Sequence, residues 1–117
     1  MNQHEITAAA PLLNENGNLR EPGWARGLLP VYRRQDVKAS RLRLKEWDYY
    51  LVTDGHIGLA LTIADNGYMG LDSISFLNFD ERWEQTKSPM RLFPCGKTNL
   101  PETSAEGASE IARGGYA

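Results

Sequence analysis

The chain has 117 residues, of which 41% are hydrophobic and 24% charged, and a formal net charge of −2. That is room for one domain at most, and the composition excludes a chain disordered throughout. The balance of charge also argues against general binding to a phosphate backbone, which needs clustered Lys and Arg, and the single cysteine, Cys95, excludes an internal disulfide or a multi-cysteine metal site.

Residues 1 to 41 are punctuated by Pro11, Gly17, Pro22, Gly23, Gly27 and Pro30, which break every candidate helix. Leu12, Leu13, Leu19, Trp24, Leu28, Leu29, Val31 and Tyr32 give this segment apolar anchors. It reads as an irregular strap with at most one short strand around Leu28 to Tyr32, and with Trp24 as a plug beneath it. The start of the chain lacks a cationic, apolar signal pattern. No apolar run approaches the roughly 20 residues that span a bilayer, so the expected location is the cytoplasm, with no membrane span.

The stretch Leu42 to Phe79 reads as three long strands joined by turns at Asp54-Gly55 and Asn66-Gly67. These dipeptides tolerate the positive φ that two-residue type I′ hairpin loops require. Two-residue loops at those sites pair Thr53 with His56 and Asp65 with Tyr68, and they fix which residues share a face. One face then carries Leu42, Leu44, Tyr50, Val52, Ile57, Leu59, Leu61, Ile63, Ile74 and Phe76. Glu46, Asp48 and Asp72 are set within it. The other face carries Trp47, Tyr49 and Leu51 lying over the small residues Thr62, Ala60 and Gly58, and continues through Met69, Leu71 and Leu77. Both faces are substantially apolar, so the sheet needs cover on both sides, as in a barrel or a sandwich.

Beyond Phe79 the chain turns polar. Asp80 to Lys87 suits a short helix stopped by Pro89, Arg91 to Pro94 suits a short edge strand, and the residues from Gly96 onward have little to bury and read as loop and tail.

The carboxylates are the sharpest chemical feature. In the expected register Asp48 and Asp72 flank Leu61 in one cross-strand row, with Cα atoms roughly 10 Å apart. Glu46 lies one row to one side and Tyr50 one row to the other. Carboxylates in an apolar face can act as general acid or base, with Asp48 and Asp72 the catalytic candidates. Glu46, Asp48, Tyr50 and Asp72 can equally fix the polar end of an apolar ligand. The competing expectation is that this end of the sheet meets solvent or the cations of a cover. His56 beside its turn and His4 have no ligand-like spacing, so no metal and no other cofactor is expected. Gly96-Lys97-Thr98 resembles the end of a phosphate-binding loop, but the glycine required five residues earlier is Arg91.

The blocks PLLNENGNLREPGWA, ASRLRLKEWDYYLV, IGLALTIADNGYMGLDSISFLNF and GKTNLP resemble, in that order, an uncharacterised bacterial family, domain of unknown function 2804. The resemblance covers Gln3 to Glu106. It implies the N-terminal part of a larger β-rich protein, residues 1–106, followed by an atypical tail over residues 107–117, as in a truncated gene product. The family has no established activity, so it lends no catalytic residue. A weaker likeness, at the level of fold, is to lipocalin-like relatives of carotenoid hydratases, which handle apolar molecules.

The expected fold is mainly β, an antiparallel meander forming part of a β-barrel or sandwich, with an irregular N-terminal strap and a polar C-terminal tail. Three functions remain open. One is a lipocalin-like module that binds a small hydrophobic molecule. Another is an acid-catalysed, hydratase-like enzyme acting on a lipid or isoprenoid. The third is an inactive fragment whose third strand has an unpaired edge prone to self-association.

Overall fold

A computed structural model describes residues 3–112. Within them the chain forms two compact units, one of residues 3–39 with 102–105 and one of residues 40–101 with 106–112.

The first unit is irregular, as its prolines and glycines dictate. Strands β1 (Ala10–Pro11) and β2 (Pro30–Val31) pair in parallel. The Leu12 amide donates to the Val31 carbonyl at 2.9 Å. Asn14 turns the chain back on itself, its Oδ1 accepting the Asn16 and Asn18 amides at 3.0 Å each. Ile6 is the buried apolar side chain of this unit. Trp24, expected as a plug, is 38% exposed instead, with the Arg26 guanidinium 4.8 Å from its ring centroid. A cation over the ring lets the indole remain partly wet.

The second unit is an antiparallel sheet of β3 (Glu46–Thr53), β4 (Ile57–Asp65), β5 (Met69–Asn78), β6 (Trp83–Lys87) and β7 (Met90–Leu92). The order is β3-β4-β5-β6, with β7 also on β5. Among the described residues the sheet is an open meander and does not close into a barrel. Strand pairing begins at Glu46, not Leu42, because Arg41 to Arg43 form a turn in which Ser40 O accepts the Arg43 and Leu44 amides.

Both hairpins turn one residue later than expected. The ladders run Thr53↔Gly58 to Glu46↔Asp65, and Asp65↔Gly70 to Ile57↔Asn78. The turns are therefore centred on Gly55-His56 and Gly67-Tyr68, and only the glycine of each has positive φ, +95° and +78°. Glycine at the first central position is the type II′ pattern rather than type I′. The preceding aspartates select it. Asp54 Oδ1 accepts the His56 and Ile57 amides at 2.9 Å, and Asp65 Oδ1 accepts the Gly67 amide at 2.9 Å. A turn displaced by one residue shifts the pairing by two, and a shift of two leaves every side chain on its expected face.

Asp80 to Lys87 is not helical. Asn78 Oδ1 accepts the Glu81 amide at 2.9 Å, Arg82 takes φ +57°, and Trp83–Lys87 then pairs with β5. Cross-strand partners outweigh local helix propensity here. Ser75 and Thr86 share a hydroxyl bond of 2.7 Å, and the Phe76 and Trp83 rings lie 5.6 Å apart. The third long strand is accordingly paired on both sides rather than left as an open edge. Strands β6 and β7 keep one register against β5, Ile74↔Lys87 and Leu71↔Met90. They are a single strand interrupted at Pro89, which accepts from the Asp72 amide at 3.2 Å but has no N–H to return.

Candidate functional site

The rows of the sheet bring the expected polar residues together. Asp48, Ile63 and Asp72 form one cross-strand row, with Ile63 in the place expected for Leu61. The Glu46, Asp65, Gly70, Arg91 row lies to one side and the Tyr50, Leu61, Ile74, Lys87 row to the other. Glu46, Asp48, Tyr50 and Asp72 thus share one face.

Asp72 is buried, and its partner comes from β7. Both its carboxylate oxygens accept from Arg91 Nε, at 3.0 and 2.9 Å, and Oδ1 lies 2.9 Å from Nη2. The side chains of Arg91 and Asp72 are only 11% and 5% exposed. Arg91 Nη1 also donates to Thr98 Oγ1 at 2.9 Å, and Nη2 donates to the Ala64 carbonyl at 3.2 Å. The Thr98 hydroxyl in turn donates to Asp65 Oδ2 at 3.0 Å. That oxygen also accepts the Gly96 amide at 2.8 Å, and Asp65 as a whole is 3% exposed. A continuous polar chain therefore runs Asp72, Arg91, Thr98, Asp65, with each buried group satisfied. Asp54, in the exposed first turn, has its carboxyl held below its ordinary 3.8, first by the Ile57 amide and then by that of His56.

Asp65, Arg91 and Thr98 are not among the candidates expected from the sequence. The signal that marks them is local. Asp65 directly precedes the Asn66-Gly67 pair, and Gly96-Lys97-Thr98 supplies an amide and a hydroxyl together. The segment from Gly96 onward, expected to bury little, instead docks on Asp65 and buries Leu100. Phe93, Cys95 and Asn99 take positive φ in the course of that docking.

Asp48 accepts a hydrogen bond from the Ser109 hydroxyl. This contact brings the segment around Ser109 across the same face of the sheet. Between that segment and the sheet lies a cleft of about 640 Å³, walled by Leu61, Ile63, Ile74, Pro89 and Ile111. Asp72 contributes to the wall, and Lys87 and Glu110 add charges of opposite sign. Among the described residues, no three His, Cys, Asp or Glu side chains are gathered to hold a metal ion. No helix among them is long and apolar enough to cross a membrane.

An open antiparallel sheet with an acid-rich end and a greasy cleft defines a β-domain rather than any one enzyme class. Its family is given by sequence: the profile of the family described as Domain of unknown function 2804 matches residues 3–117, and the chain belongs to that family. No curated protein and no solved structure matches the chain at a significant level.

Proposed function

We propose that this chain is a lipocalin-like module that binds a small hydrophobic molecule in the cleft over β4 and β5. The observation that carries the reading is the cleft itself. Its volume of about 640 Å³ lies within the range of ligand sites, roughly 300–1,000 Å³. Its exposed lining is mostly aliphatic, and Asp72, from the row of Asp48 and Asp72, forms part of the wall. Of the candidate polar contacts, Asp72 lines the cleft, while Glu46, Asp48 and Tyr50 share its face of the sheet without lining it. Binding is better supported than acid catalysis. A proton donor must offer a protonated oxygen to its substrate, whereas both oxygens of Asp72 accept from Arg91.

The test is a fluorescence titration with cis-parinaric acid, a conjugated fatty acid. Ile74 lines the cleft and is 47% exposed, so Ile74→Asp tests the site without emptying a core. Val52→Asp, on the same face but outside the cleft, is the control. Saturable one-site binding that Ile74→Asp weakens by about tenfold or more, about 1.4 kcal/mol, and Val52→Asp leaves unchanged is expected. Equal loss in both variants, or no saturable binding by the parent chain, sinks the reading.

A further inference from the structure

The backbone bonds of the sheet show which of its edge groups remain without a strand partner. Asn66 N donates to Met69 O, Phe79 N to His56 O, Asp72 N to Pro89 O and Phe93 N to Tyr68 O. In an antiparallel sheet, bonded and non-bonded pairs alternate strictly. The first two bonds assign the even-numbered residues of β4 to β5, which leaves its odd-numbered residues for β3. The last two agree, since even-numbered residues of β5 and its preceding turn then bond to β6 and β7. Through the pairs Glu46↔Asp65, Asp48↔Ile63, Tyr50↔Leu61 and Val52↔Leu59, the even-numbered residues of β3 bond to β4. Trp47, Tyr49, Leu51 and Thr53 therefore direct N–H and C=O away from the sheet, along an edge where no further strand pairs among the described residues.

This edge is little blunted against strand pairing, its charges being Glu46 and Asp48, both at positions that bond inward to β4. Over Glu46–Thr53 it has no Pro, no Gly and no cationic side chain, and its outward-bonding residues are all uncharged. The opposite edge is blunted by Pro89, by the charges of Glu84 and Lys87, and by the left-handed Arg82.

We propose that β3 pairs antiparallel with β3 of a second copy of this chain. A two-fold axis through the sheet keeps each residue on its own face, so paired residue numbers must add to an even sum. Centred on Tyr49, the pairing sets Tyr49 against its counterpart, Trp47 against Leu51, Asp48 against Tyr50 and Glu46 against Val52. Centred on Tyr50, it sets Glu46 against Asp54, carboxylate to carboxylate. The Tyr49 register opposes no like charges and stacks aromatic on aliphatic side chains, the favourable cross-strand combination. The two Asp48 carboxylates are only diagonal neighbours, and each already accepts from its own Ser109. Such an isologous pairing uses both β3 edges and leaves only the blunted edges outside, so assembly stops at two.

The experiment combines sedimentation equilibrium with residue-resolved amide exchange on the ligand-free chain. Raising the concentration into the high micromolar range should move the mass to twice that of the chain. Exchange at Trp47, Tyr49, Leu51 and Thr53 should slow on the order of tenfold, with Asp48, Tyr50 and Val52 unchanged. Leu51→Pro removes an outward N–H and leaves the β4 ladder whole, so it should give a folded monomer. Tyr49→Lys sets two like charges on the axis and should give the same result without altering the backbone. A chain monomeric at every concentration overturns the proposal. So does a dimer that survives both substitutions, a dimer whose outward amides still exchange fast, or open-ended polymer.

Discussion

At the scale of single residues, Arg91 holds the acid-rich end of the sheet together. It neutralises Asp72 directly and reaches Asp65 through the Thr98 hydroxyl. A buried pair gains little over a well-packed apolar one, but removing one partner strands the other charge. Arg91→Ala should therefore destabilise the sheet unit by about 3–5 kcal/mol in urea denaturation. The double variant Arg91→Leu with Asp72→Leu should recover a large part of that loss, and a double variant no better than the single one would show that the pair is not coupled. Thr98→Val removes one bond to each charged neighbour and should cost about 1.5–3 kcal/mol. Asp54 behaves differently, being fully exposed. Its carboxylate accepts two amides of the turn, so its folded pKa lies below 3.8. A depressed acid contributes stability above its unfolded pKa and loses that contribution as pH falls through the folded one. NMR titration should find Asp54 titrating below 3.8, with the His56 and Ile57 amide shifts following the same curve. Asp54→Asn should remove that acid-side step.

At the scale of elements, the hairpins carry the organisation, and glycine position decides their register. A Cβ on Gly67 would fall on the Arg41 carbonyl oxygen and within 2.8 Å of Leu42 Cα, and the residue holds φ +78°. Gly67→Ala is thus opposed both by sterics and by conformation, and should lower stability by at least about 1–3 kcal/mol in the same denaturation assay. Gly55→Ala meets no neighbour within 4 Å and should cost only its φ of +95°. These two glycines also explain how much of the fold was legible. The Asp-Gly and Asn-Gly pairs announce two hairpins, and alternation of side chains gives both faces and the row of Asp48 and Asp72. The one-residue displacement of each turn was hidden because Asp54 and Asp65 act through their side chains, as acceptors, and not as turn-centre residues. Trp83–Lys87 was hidden for another reason. Its strand state comes from cross-strand partners on β5, Ser75, Phe76 and Asn78, and not from its own local sequence pattern. Arg91 and Thr98 were illegible as a site because their partners lie 19 and 33 residues away.

At the scale of the whole molecule, the balance of burial sets the expectation for stability. Among the described residues the buried apolar side chains are Ile6 in one unit and Ala60, Ala64, Pro94 and Leu100 in the other, and no described side chain is less than 2% exposed. Trp47, Tyr49, Leu51 and Val52 on β3 all remain more than a third exposed, spread over both faces of the sheet. Full burial of a large aliphatic side chain contributes about 1.5–3 kcal/mol, and most of these side chains leave part of that unrealised. Ordering a chain of about this length costs on the order of 100–200 kcal/mol, so a shortfall spread over many positions is felt. Hydrogen bonding in the ladders and the Arg91 network fixes geometry but adds modest net stability. Calorimetry on the dilute chain should therefore give a broad transition below the window of about 45–65 °C usual for mesophilic domains. The missing stability is recoverable by mass action. Whatever binds the folded form alone raises the transition by an amount that grows with its concentration. Two such agents are separable by design. Cis-parinaric acid should raise the midpoint at fixed protein concentration, and Ile74→Asp should abolish that rise. Protein concentration alone should raise it without ligand, and Leu51→Pro should abolish that second rise while leaving the first. A sharp transition above about 65 °C in the dilute, ligand-free chain would mean that its own contacts suffice and that the open edge and faces need no cover.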